Sequence, residues 1–346
     1  MTSTTNDSAV SDEMIALLPK VELHVHLEGT LEPTRIAQLA DLAGKELPRP
    51  LDRIFETTDL SDFLAFLDWT GRLVTSPDLA GELAYDFAAR AARDNTMYAE
   101  VIINPTHWGA LSLDDLLAGV AAGFDRAQAD GLADCRILPS ILRQQSEAEA
   151  VDLANHLAEH QPHRVVGLSI DGDEAVAGRT APRFAAAYRI AKDAGLGLTA
   201  HAGESSGADG VRDALDLLGV DRLDHGIRAV EDPELVARLV DEGQPLNVCV
   251  TSNCRRMYPD VHHHPILELL AAGVNCTINT DDPAPMQCDL NGEFALVADA
   301  AGWDLTDTAA ATATAIDAAF CDHATKADLR TRLAAFTTEH IEGATS

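Results

Sequence analysis

Two histidines separated by one residue are the first sign of chemistry in this chain. His24-Val25-His26 lies inside the apolar run VELHVHL, residues 21–27. Side chains two apart on a strand point to the same face, so both imidazoles can enter one site. Three later runs also end in ionisable residues: His201-Ala202-Gly203-Glu204, Asp224-His225-Gly226 and Thr280-Asp281-Asp282-Pro283. Charged groups gathered in one place are costly unless they pair or hold a metal. Three histidines and one carboxylate suit Zn²⁺, which takes nitrogen and oxygen ligands and leaves a position for water. His24, His26, His201 and Asp281 are the expected ligands. Zinc lowers the pKa of water to about 7, which makes a nucleophile available at neutral pH. Glu204, three residues beyond His201 on a glycine turn, is placed to exchange a proton with a substrate. His225 is placed to orient or deprotonate the water, and Asp282, beside a ligand, is left to read the substrate.

Those four runs belong to a set of eight short apolar, β-branched segments: 21–27, 97–103, 135–142, 165–171, 197–203, 222–227, 245–250 and 276–281. Ala/Leu-rich amphipathic stretches such as LDDLLAGVAAGFDRAQA and PELVARLVDEG separate most of them. Near-continuous apolar strands alternating with helices predict a parallel sheet covered on its outer face. Eight such units predict closure into a (β/α)₈ TIM barrel, whose reactive groups sit at the C-terminal strand ends. An open doubly wound sheet is the alternative, but no G-x-G-x-x-G turn or P-loop supports it. Residues 31–96 hold several helices before the second strand and are expected to overhang the mouth as a lid. The tail from about residue 305 reads as further Ala-rich helix. No flexible linker divides the chain, so residues 13–346 are expected to form a single domain behind a disordered tail over 1–12.

Composition excludes several functions. The 346 residues carry 56 acidic and 25 basic side chains, a net charge of −31, with only four lysines. A field of that sign repels phosphate backbones and anionic lipid, which argues against nucleic-acid and membrane-surface partners. It fits solubility in concentrated salt and equally an Arg-rich coding bias. Six scattered cysteines form no C-x-x-C pair and no disulfide framework. Cys249 and Cys276, in apolar runs, read as small core residues. The first dozen residues lack the basic and apolar regions of a signal peptide, and no apolar run nears the roughly 20 residues of a membrane span; a cytoplasmic location is expected. His262-His263-His264 read as a solvated loop, Arg255 and Arg256 as a surface pair, and His107 as either lining the mouth or packing.

The run PKVELHVHLEGTLEP, followed in order by YAEV, GLSIDGDE, HAGE, DHGIR, TSN and NTDDP, resembles the adenosine/adenine deaminase family of the amidohydrolase superfamily. The motifs extend from Leu18 to Pro283, most of the chain, and are specific as a set. The resemblance implies a purine attacked at C6 by zinc-activated water. It implies His24, His26, His201 and Asp281 as zinc ligands and Glu204 as the proton donor to ring N1. His225 would position the attacking oxygen and, with Asp281, handle its proton. Asp282 would meet N7 and the Gly172 backbone N–H would meet N3. Some related barrels bridge two metals with a fourth-strand lysine; VVGLSIDGDE has none, so one zinc per chain is expected. Adenosine deaminases usually carry HLDG, whose Asp contacts ribose, whereas this chain has His26-Leu27-Glu28-Gly29 and so places Glu28 against the substrate. HLEG resembles the adenine and aminodeoxyfutalosine deaminase branches, and DGDE the adenosine and aminodeoxyfutalosine branches. Cys249-Val250-Thr251-Ser252-Asn253 lacks the proline of the usual CPxSN. Adenosine is the expected substrate, with adenine and aminodeoxyfutalosine as alternatives. A cyclic-amide hydrolase is more distant, because the lysine is missing and Glu204 is present. A non-catalytic relative is disfavoured because every catalytic role is filled.

Overall fold

The computed structural model describes residues 10–179 and 181–342. Nine parallel strand segments follow one another around a barrel: β1 (Lys20–His26), β2 (Thr96–Ile103), β3 (Asp134–Leu142), β4 (Gly167–Asp171), β5 (Gly197–Leu198), β6 (His201–Ala202), β7 (Leu223–His225), β8 (Leu246–Val248) and β9 (Cys276–Ile278). Each pairs in parallel with the next in two sets, β1 to β5 and β6 to β9. β5 and β6 are halves of one stave. Between them Thr199 N–H donates to Leu168 O at 3.0 Å and Ala200 O accepts from Asp224 N–H at 2.8 Å. The ring closes where Val25 bridges Asp281: His26 N–H donates to Asp281 O at 2.8 Å and Asp281 N–H to His24 O at 3.1 Å. All eight expected strands are present, with trimmed ends. They are buried on both faces because the barrel interior is packed and the helices cover the outside; every residue of β1, β2 and β4 is buried.

The expected extra helices sit at both places. Between β1 and β2 lie helices Pro33–Ala43, Leu60–Gly71 and Pro77–Arg93. Helix Leu60–Gly71 starts where Asp59 accepts from Asp62 N–H, and it buries Phe63, Phe66 and Leu67. At the C-terminus, helix Leu305–Ala318 opens on a capping box at Asp304 and packs on β1 and β9. Its buried Ala309, Ala311 and Ala315 allow close approach. The expected tail over 1–12 lies outside the described residues except at its end, where Ser11 caps helix Asp12–Leu17 and Val10 N–H donates to Trp303 O. Among the described residues no helix is long and apolar enough to cross a membrane.

Candidate metal centre and active site

The ends of β1, β6 and β7 and the turn after β9 converge on one mouth, as the barrel reading requires. Nε2 of His24 stands 3.2 Å from Asp281 Oδ1, Nε2 of His26 stands 3.4 Å from the same oxygen, and the Nε2 atoms of His26 and His201 are 3.1 Å apart. Ligands about 2.0–2.1 Å from a tetrahedral ion stand roughly 3.3 Å from one another, so these three separations match a zinc shell, and all four ligand atoms lie within 4.8 Å of one another. Burial lowers His26 to about 4 and holds His201 well below its ordinary value. Burial thus favours the neutral, metal-ligating form of these two rings, whereas at His24 burial is outweighed by Cys249, Asp224 and Asp281, which raise its value well above the ordinary one. Cys249, expected as a small core residue, is buried, but its sulfur also lies within 4.8 Å of ligand atoms of His225 and Asp281.

Two of the converging residues have left-handed backbones, His225 at φ 64° and Asp281 at φ 66°. A non-glycine residue there costs on the order of 1–3 kcal/mol and persists where the surroundings enforce it. At Asp281 the enforcement is visible: both backbone groups are tied to β1 while Ser252 Oγ donates to Oδ2 at 2.6 Å. Asp282 follows, buried, and is pushed well above the usual carboxylate range by its burial and next by the Asp281 charge. Gly29 leaves room for it; a Cβ there would lie 2.0 Å from Asp282 Oδ1.

Two histidines of the cluster are backed by a residue given no role in the sequence reading. Asp224, fully buried in β7, places Oδ1 3.4 Å from His24 Nδ1 and Oδ2 3.6 Å from His201 Nδ1. It accepts from Asn247 Nδ2 at 2.8 Å and Ser169 Oγ at 3.3 Å. Burial opposes its charge, yet His24, His201 and Arg222 hold it well below the usual carboxylate range. Such carboxylate–histidine contacts fix the ring face turned to the metal.

Glu204 and His225 sit at the rim, with Glu204 Oε2 3.8 Å and Asp281 Oδ2 4.0 Å from His225 Nε2. The Glu204 turn is held by Glu174, the last residue of DGDE. Its carboxylate accepts from the N–H groups of Gly203, Glu204 and Ser205 and from Ser206 Oγ. Although burial opposes its charge, Arg143 and these donors keep Glu174 below the ordinary value. No motif spacing pointed to Asp224 or Glu174 as supports, because both act through contacts between strands distant in sequence.

Above the metal groups is a cavity of about 50 Å³ lined by Glu28, His107, Gly172, Glu204, His225 and Asp282, and roofed by Leu60, Phe63, Leu64 and Leu67 of the Leu60–Gly71 helix. The expected lid is this helix. Gly172 borders the cavity at φ 98°. Glu28 is buried; its Oε1 accepts from Asn104 N–H at 3.0 Å and from Trp108 Nε1, while Oε2 has no partner among the described residues. Burial raises its pKa. Two readings need correction. Arg256, expected on the surface with Arg255, is half-buried, lines the cavity and stacks 4.5 Å over Phe63, because its helix runs under the lid. His264, expected in a solvated loop, is 3% exposed and bonded to Asn253 Oδ1 at 3.1 Å, since the following helix turns it inward; His262 and His263 are exposed.

Comparison with known proteins agrees with this arrangement. The family model described as adenosine deaminase matches residues 19–336. An adenine deaminase of Rhodospirillum rubrum is 38% identical over 337 residues, covering 94% of this chain and 99% of that protein. One from Agrobacterium fabrum is 37% identical over 324 residues, covering 92% and 99%. The crystal structure of adenine deaminase from Arthrobacter aurescens superposes with a TM-score of 0.87 at 31% identity, covering 93% of this chain and 99% of that one. An amidohydrolase from Burkholderia ambifaria, solved with bound zinc, gives 0.88 at 31% identity and covers 99% and 97%. With the motifs in order, the barrel closed around the histidine–aspartate cluster and these matches spanning almost its whole length, the chain belongs to the adenosine deaminase family of hydrolytic deaminases.

Proposed function

We propose that the protein removes the 6-amino group of free adenine, giving hypoxanthine and ammonia, with one zinc ion per chain. The observation that carries the choice of base over nucleoside is the unpartnered Oε2 of buried Glu28 in the cavity. A free base offers its N9–H to that oxygen; a nucleoside offers ribose hydroxyls instead, which the usual Asp at this motif position meets and for which the longer Glu28 side chain leaves less room. Leaving a buried carboxylate oxygen unpaired costs about 1–3 kcal/mol or more, so a substrate that fills it is favoured. The relatives at 35–38% identity are named for adenine, which favours this alternative over the adenosine expected from sequence.

His24, His26, His201 and Asp281 would hold the zinc, which lowers the pKa of water to about 7 and so makes the nucleophile available at neutral pH. Glu204 gives a proton to N1, which draws electrons from C6. His225 and Asp281 flank the attacking oxygen and handle its proton between them. Asp282 meets N7 and the Gly172 N–H meets N3. The 6-amino group leaves as ammonia, with water supplying the 6-oxygen and the hydrogens. Leu60, Phe63 and Leu67 exclude bulk water during these steps. Because the ligands run from His24 to Asp281, residues 13–346 act as one catalytic unit.

The test is ammonia release by the zinc-loaded enzyme from adenine, adenosine, 2′-deoxyadenosine, aminodeoxyfutalosine and N6-substituted adenines. Adenine is expected to be turned over with the highest kcat/KM. Preference for adenosine, with adenine inert, would overturn the choice of free base.

A further inference from the structure

Behind His225 runs a line of three hydrogen bonds whose direction is set at its far end. Ile266 N–H donates to His264 Nδ1 at 3.0 Å. A backbone N–H can only donate, so this nitrogen is the acceptor and the ring hydrogen is on Nε2. Burial lowers His264 to about 3, which keeps the ring neutral. Its Nε2–H then meets Asn253 Oδ1 at 3.1 Å. That contact turns the amide nitrogen of Asn253 toward His225 Nδ1, 3.2 Å away. His225 Nδ1 must accept, and its hydrogen is left on Nε2, the nitrogen facing Glu204 Oε2 and Asp281 Oδ2. Running the line in reverse would bring two donors together at Ile266. All three side chains are buried, so water does not offer an alternative partner.

We propose that His264 is a positioning residue that, through Asn253, fixes His225 as the tautomer carrying its proton on the Nε2 that faces the reaction cavity. Resting on the reading of His225 as a partner of the attacking water, this divides the labour left open above. His225 donates a hydrogen bond to the oxygen and holds it, and Asp281 takes the proton.

The test uses the zinc-loaded protein labelled with ¹⁵N-histidine, with the His225 signals identified by their loss in His225→Asn. The wild type should show Nε2 protonated and Nδ1 bare. His264→Gln keeps one acceptor and one donor and should retain that pattern and the wild-type kcat. His264→Leu should give mixed tautomers and lower kcat for adenine by roughly ten-fold or more, the scale on which outer-shell partners act, with KM little changed. A wild-type His225 protonated on Nδ1 would overturn the proposal, and so would a His264→Leu protein with the wild-type spectrum and kcat. Should His264→Leu fail to fold, the wild-type spectrum decides alone. No substrate is needed for the spectra, so an enzyme inert toward adenine would remove the substrate reading and leave this one standing.

Discussion

Asp224→Asn changes one atom of a residue that never reaches the cavity, yet the structure assigns it a specific loss. The carboxylate faces four polar atoms, two at each oxygen: Asn247 Nδ2 donates to Oδ1 and Ser169 Oγ to Oδ2, while His24 Nδ1 stands 3.4 Å from Oδ1 and His201 Nδ1 3.6 Å from Oδ2. An asparagine must turn its NH₂ to one side. The Oδ1 side presents an amide donor whose reversal would make Thr277 Oγ1, which now donates to Asn247 Oδ1 at 2.9 Å, accept from Asn247 as well as from Asn279 Nδ2 and lose its own acceptor. The Oδ2 side presents a hydroxyl that can rotate to accept. The NH₂ therefore goes to the Oδ2 side, against His201 Nδ1. That ring loses its acceptor and is pushed toward the tautomer with hydrogen on Nε2, the metal-facing nitrogen, while His24 keeps its partner. Loss of one outer-shell partner lowers metal affinity about 10–100-fold, or roughly 1.4–2.8 kcal/mol. Chelator competition gives the zinc Kd directly, and ¹⁵N spectra of the metal-free protein locate the tautomer change at His201 rather than His24. A Kd within two-fold of the wild type would refute the argument that Asp224 sets the ligand rings, and equal changes at both histidines would refute the choice of side.

Two further perturbations address other parts of the site. Glu204→Gln should retain zinc, because Glu204 is not among the clustered ligand atoms, and should lower kcat at least roughly 10²-fold, a general-acid contribution; near-wild-type turnover would remove Glu204 from the mechanism. Glu293→Gln should alter stability with a defined pH dependence. Burial raises Glu293 to about 7 from an ordinary 4.5, and its Oε1 has no partner among the described residues. The fold thus favours the protonated acid. That stability is present below pH 4.5 and is lost as pH rises through about 7, to a limit of roughly 3 kcal/mol. The glutamine variant should melt higher than the wild type at pH 8 and differ little at pH 4.5; an equal change at both pH values would exclude titration of Glu293 as the cause.

The chemistry was readable because metal ligation confines residue types tightly and strand periodicity confines their direction. His24 and His26 must share a face, and β1 places them so. His201, His225 and Asp281 follow apolar strands whose C-terminal ends a closed barrel brings together. Glu28 was legible as a departure at a motif position, though its unpartnered oxygen and the resulting case for a free base were not. The substrate expected first, adenosine, came from the DGDE signature; the relatives and the buried carboxylate of Glu28 shift the reading toward adenine.

Sequence alone picked out the histidine–aspartate cluster, the eight parallel strands and the extra helices at both ends, because each follows from local pattern: alternation, apolar runs and residue chemistry over a few positions. Tertiary structure decided what stands behind and above those groups. Asp224 gains its meaning from Nδ1 atoms on two other strands, Glu174 from three backbone N–H groups about thirty residues on, and His264 from a helix that turns it inward beside Asn253. Arg256 and Phe63 meet although they are far apart in the chain. Hydrogen-bond direction, burial and cavity shape arise only when distant segments are packed together, and a one-dimensional pattern carries no record of which of them will meet.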